Sequence, residues 1–211
     1  MKEEFKEEYP HLRSDEEVYF TWYMDDLEEA GFIDHYNYEG EVYSMTEPLF
    51  LPWTKQLATK TKDMEFSALA KSTYNPDYNI YWDNSAKGIF IPGIPSKDKP
   101  YFAGSEFLDL TDQCKSTIDV KGSGSKTSSD NIFPFKQKLM WLTHNIYVHK
   151  VIPQQLFKKT FTPRRYFLTD VNGTKRKINK WKPITIDQYV QQMKDTHKRE
   201  QNISNGEISL F

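Results

Sequence analysis

The chain has 211 residues, enough for one domain with appendages, and its aromatic content of 15% offsets a modest apolar fraction of 37%, because each Phe, Tyr or Trp can bury ~150–250 Å². One cysteine, Cys114, excludes an intramolecular disulfide and a multi-cysteine zinc site, and the absence of any long apolar run or apolar leader points to a soluble, cytoplasmic setting. The net charge of −2 conceals an asymmetry: residues 1–50 hold 3 Lys/Arg against 15 Asp/Glu, whereas residues 121–200 hold 17 Lys/Arg against 5 acids. A basic half of this kind suits a protein that follows a phosphate backbone, or one that docks on its own acidic half.

Taken in order, residues 1–13 read as an acidic, partly ordered arm. Ser14 and Glu17 form a capping box that opens a helix through Val18, Trp22 and Leu27, and Gly31 closes it. Residues 43–53, interrupted by Pro48 and Pro52, predict an irregular edge strand, and a weak helical period predicts an insertion helix around Met64 to Leu69. An aromatic, alternating run predicts a strand over 74–83. A β-branched run predicts another that ends in Asp119-Val120-Lys121. Between them, 84–115 reads as a hairpin or lid inserted into the domain, since a connection of that length is usually functional. After a Gly-Ser loop from Gly122, a helix over 134–144 and a strand over 146–152 follow. Thr185 and Gln188 then open a second capping box for a helix over about 185–200. The expectation is an α/β fold of αβββαβ order, a mixed central sheet flanked by helices, with a domain over 1–170 and a basic extension over 171–211.

Asp119 and Lys121, two positions apart on an extended segment, point to one face. A carboxylate and an ammonium in one pocket suit chemistry on a phosphodiester, where carboxylate oxygens hold a hard divalent cation and a nearby lysine orients water or offsets developing charge. Pro76-Asp77 would supply a second carboxylate. The basic clusters Arg164-Arg165 and Lys175-Arg176-Lys177 lie among aromatic residues and are candidates for phosphate contact. The five histidines lack metal-ligand spacing. The Gly-Ser loop with Lys126-Thr127 lacks the spacing of a nucleotide-binding P-loop, which argues against an NTPase.

Pro76-Asp77 together with Asp119-Val120-Lys121 resembles the PD-(D/E)XK nuclease superfamily, and within it the phage-encoded Holliday-junction-resolvase-like endonucleases. The segments Phe133 to Trp141, Ile146 to Ile152 and Thr160 to Tyr166 extend the likeness, which covers about 14–170. The 42 positions from Asp77 to Asp119 exceed the short hairpin usual in that superfamily, so an insertion must fill them. The resemblance implies a restriction-endonuclease-like core in which Asp77, Asp119 and the Val120 carbonyl bind Mg²⁺ or Mn²⁺. Glu17, with Glu16 in reserve, would hold a second ion or its water shell, and Lys121 would position the attacking water. Gln137, four residues before a Trp141 that stands where some branches have Tyr, and the neighbouring Lys138 would face nucleic acid. Asp83, Asp109 and Asp112 are further acids near the site in sequence. The implied activity is hydrolysis of DNA, of the junction-resolving or branch-cleaving kind, by a homodimer. The alternatives are a non-catalytic nucleic-acid-binding or virion-associated protein, and a structural protein whose acidic half meets the basic half of a neighbour.

Overall fold

A computed structural model describes residues 1–91, 114–122, 128–168 and 181–204. Two helices come first, α1 (Glu3–Glu8) and α2 (Asp15–Glu29). The Ser14 hydroxyl accepts the Glu17 N–H at 3.2 Å, so the predicted cap forms. The first residues are more ordered than their composition suggests, because Phe5 is buried edge-on against Tyr19 and Trp22. Along α2, Val18, Phe20, Trp22, Tyr23, Met24 and Leu27 are all buried. A helix apolar on most sides is one enclosed by its neighbours rather than laid on a surface.

The main sheet holds four strands in the order β1 (Ile33–Tyr38), β6 (Tyr78–Trp82), β7 (Lys115–Val120) and β8 (Val148–Val151). β6 runs antiparallel to β1 and β7, and β7 and β8 are parallel. The long helix α3 (Ser128–His144) joins β7 to β8, the kind of crossover that parallel neighbours require. The architecture is therefore mixed α/β, with helices on both faces of a mixed sheet. Period-two alternation divides the two central strands. Tyr78, Ile80, Trp82, Ile118 and Val120 join the core around α2, while Val148, Phe133 and Met140 form a second cluster beneath α3 with Tyr43, Met45 and Tyr74.

Between β1 and β6 the chain builds two small antiparallel pairs. β2 (Tyr43–Thr46) pairs with β5 (Ser72–Tyr74), and β3 (Leu49–Gln56) pairs with β4 (Thr61–Leu69). Three expectations change here. The edge strand expected over 43–53 is two strands of separate small sheets, β2 and β3, and the main sheet starts at Ile33–Tyr38, which its polar Asp34, His35 and Asn37 disguised. Met64 to Leu69 is strand, because cross-strand pairing to Leu49–Gln56 outweighs a weak helical period. The strand expected over 74–83 breaks at Asn75-Pro76-Asp77 into two strands of different sheets.

The 3₁₀ turn Asn84–Ala86 is capped by Asp83, which accepts the Ser85 N–H at 2.7 Å. The rest of the expected 84–115 hairpin or lid, including Asp109 and Asp112, falls largely outside the described residues, as does most of the Gly-Ser loop. After β8 come α4 (Pro153–Lys159) and α5 (Arg164–Leu168). Tyr23 of α2 stacks on Phe161 at 4.2 Å. The last helix, α6 (Ile186–Ser204), opens with the predicted reciprocal cap between Thr185 and Gln188. Its Ile186, Tyr189 and Val190 pack on the main core, so this part of the basic extension is docked. No described helix is long and apolar enough to cross a membrane.

Candidate functional site

The register of the central strands brings Asp77 and Asp119 together. Tyr78 pairs with Ile118, and one step further along the antiparallel pair sets Asp77 opposite Asp119. The separation of 42 positions in sequence is thus closed by pairing. Asp77 lies just outside the strand, and its Oδ2 accepts the Val120 N–H at 2.6 Å, continuing the ladder with a side chain in place of backbone. Asp119 is buried, and its Oδ2 pairs with the Lys121 ammonium at 2.7 Å. The alternation that places Asp119 and Lys121 on one face also places Thr117 there, and Thr117 donates to Asn79 Oδ1 at 3.0 Å. A polar stripe therefore crosses the α3 side of the sheet. At its other end, Lys115 pairs with Glu41 at 2.5 Å.

Burial first, and then the charge of Asp119, push the Asp77 carboxyl up to about 7. The Val120 N–H and Lys121 oppose the rise, and Glu17 adds to it. Two carboxylates partly removed from water beside one ammonium leave negative charge short of compensation. Tyr74 sharpens the imbalance. Its hydroxyl is buried without a hydrogen bond of good geometry, and burial followed by the Asp119 charge drives its ionisation far upward. Asn75 Oδ1, two residues before Asp77, is also buried and unpartnered. Lys136 of α3 lies 4.7 Å from the centre of the Tyr74 ring, bringing a second ammonium to this side of the sheet.

Glu17 is set back from the pair. Its Oε2 accepts the Arg13 N–H at 2.7 Å and the Tyr38 hydroxyl at 2.9 Å, so part of its role is to tie the helix start to β1. Burial and the bond to Glu17 push the Tyr38 phenol strongly upward. Glu16 follows Asp15 in the first turn of α2. Among the described residues, no three His, Cys, Asp or Glu side chains converge on one point. What the chain assembles is a two-carboxylate centre with Lys121 attached and Glu17 within electrostatic reach. Asp77, Asp119 and the Val120 carbonyl are oxygen donors of the type that hard divalent cations take.

The other candidates are distributed elsewhere. Gln137 donates to the Val148 carbonyl at 2.6 Å and fastens α3 to β8. With Lys138, Trp141, Leu142 and Tyr147 it lines an open apolar groove. Arg164 pairs with Asp26 and Glu29, and Arg165 pairs with Glu8 while lying over the Trp22 ring. Both arginines thus join the basic half to the acidic one, away from the Asp77–Asp119 pair. Lys175, Arg176 and Lys177 lie outside the described residues. Sequence reasoning missed Tyr74 and Lys136. Tyr74 stands three residues before Asp77 and Lys136 one before Gln137, but only the fold shows that they meet. Comparison with protein-family models, with curated proteins and with solved structures gave no match.

Proposed function

We propose that this chain is a metal-dependent endodeoxyribonuclease with a PD-(D/E)XK-type, restriction-endonuclease-like core, acting on branched DNA. The observation that carries the reading is the meeting of Asp77 and Asp119, distant in sequence, with Lys121 attached, at one end of the two central strands. The element order supports it: α2, β1, β6, β7, α3 and β8 form the αβββαβ series, with β7 and β8 parallel. The small pairs β2–β5 and β3–β4 are then insertions.

The donor set fits Mg²⁺ or Mn²⁺, because its oxygens are of the kind that hard divalent cations take and such a cation would offset the burial and the Asp119 charge that hold a proton on Asp77. Asp77, Asp119 and the Val120 carbonyl would hold the ion, and Glu17 would contribute from its position behind them. Such an ion, when bound, lowers the pKa of its water and neutralises charge on the phosphoryl group. Asp119 fixes the Lys121 ammonium through its 2.7 Å contact. Lys121 in turn orients the attacking water and donates toward the phosphate oxygen on which charge grows. The Val120 N–H holds Asp77 in one rotamer, which limits the reorganisation needed during reaction.

The test is cleavage of labelled four-way-junction, flap and linear duplex DNA in Mg²⁺, Mn²⁺ or chelator, comparing wild type with Asp119→Ala and Lys121→Ala. Metal-dependent cutting that favours the junction is expected for wild type, with Asp119→Ala inactive. Lys121→Ala should bind DNA and cut ~10²–10⁴-fold more slowly. Binding without cutting by every protein would leave a nucleic-acid-binding module and overturn the enzyme reading.

A further inference from the structure

We propose that the β3–β4 hairpin is a self-association arm, whose apolar face packs against the same face of a second copy of this chain. The proposal goes beyond the nuclease reading and does not depend on it. Every residue of β3 and nearly all of β4 are exposed, and among the described residues the hairpin joins neither of the other sheets. A two-stranded hairpin alone in water is marginally stable at best, so a free-standing one calls for cover.

Its register defines two unlike faces. The pairs Leu49–Leu69, Leu51–Phe66 and Trp53–Met64 stack along one side, and all six side chains are between 38% and 62% exposed. The other side carries Thr54 bonded to Asp63, with Glu65 and Ser67 opposite Pro52 and an exposed Phe50, so it is mixed where the first side is apolar throughout its three rungs. Lys55 and Lys62, opposite each other, end the apolar side at the tip. Like charges facing one another there limit how far the apolar contact can run.

The area decides the occupant. Half-exposed aromatic and aliphatic side chains of this size present about 600 Å² together, at the upper limit of the largest apolar patch of an ordinary monomer. A two-fold pairing of two such faces removes about 1,200 Å², the lower bound for a specific, stable interface. An isologous contact is also what a short face of three apolar rungs can make with itself, rung against rung. Two lysines beside six apolar groups are too few cations for a surface that follows phosphates, so nucleic acid is the less suited occupant.

Sedimentation equilibrium of the full chain, without DNA or metal, tests the proposal directly. Wild type is expected to be a dimer, and Phe66→Glu a monomer with an unchanged far-ultraviolet circular dichroism spectrum. Hydrogen exchange on wild type supplies a readout that needs no variant: amides of 49–69 should gain protection as protein concentration rises. A monomeric wild type, a Phe66→Glu dimer, or hairpin protection that ignores concentration would each overturn the proposal. Protection that appears only on adding duplex DNA would also overturn it and assign the face to nucleic acid.

Discussion

Asp77 carries an unusual energetic burden for a surface-accessible chain of this size. In the folded protein it keeps its proton up to about pH 7, whereas in the unfolded chain it ionises near its ordinary value of 3.8. The folded state therefore binds more protons between those values, so this group's contribution to stability is intact at acid pH, falls as pH rises, and reaches its full cost above about pH 7. Replacing Asp77 with Asn removes the ionisation while an amide oxygen can still accept the Val120 N–H. In chelator, Asp77→Asn should unfold with about 2–4 kcal/mol more stability than wild type above neutrality and nearly equal stability near pH 4. Urea denaturation across that range would show it, and parallel pH profiles for the two proteins would contradict it. A gain in stability on losing a residue is the usual mark of a group kept for function rather than for folding.

At the scale of elements, α2 is held by its cap and by nearly complete burial. Ser14→Ala should cost about 1 kcal/mol in chemical denaturation. It should also loosen Glu17, whose N–H the Ser14 hydroxyl accepts and whose carboxylate bridges Arg13 and Tyr38. Much of this level was legible. The Thr185–Gln188 box forms reciprocally and Ser14 caps α2 through its hydroxyl alone, the Glu17 carboxylate turning instead to the Arg13 N–H. α2, β7, β8 and α6 stand within a few residues of their expected places because their signals are local, whereas α3 starts at Ser128, six residues before the expected 134. What stayed hidden depended on pairing. β1 hides in Asp34, His35 and Asn37, since only Ile33 of that strand is fully buried. β4 exists because β3 lies beside it, and its exposed Met64 and Phe66 mimic the spacing of a helix. The pairing of Asp77 with Asp119 was legible as chemistry, from a carboxylate two positions before a lysine. Tyr74 and Lys136 were not, because their meeting with that pair depends on β5 and α3 converging on one face of the sheet.

For the whole molecule, the charge asymmetry read from composition has two outlets. Part of it is internal: Arg164 and Arg165 fasten α5 to the acidic Glu8, Asp26 and Glu29. The pairs to Glu8 and Glu29 are exposed, so their value lies in orientation more than in stability, whereas Asp26 is buried and also accepts the Arg164 N–H at 2.9 Å. The other is the one proposed: under the nuclease reading, the negative charge left over at Asp77 and Asp119 takes up a cation. That last point is the centre of the account, and titration calorimetry with Mn²⁺, run in buffers of different ionisation enthalpy, tests it most directly. Wild type should bind the ion and release close to one proton around pH 6, where Asp77 is still protonated, and release fewer around pH 8; Asp119→Ala should bind far more weakly. Absence of binding by wild type, or equal binding by both proteins, would contradict a metal centre at Asp77 and Asp119.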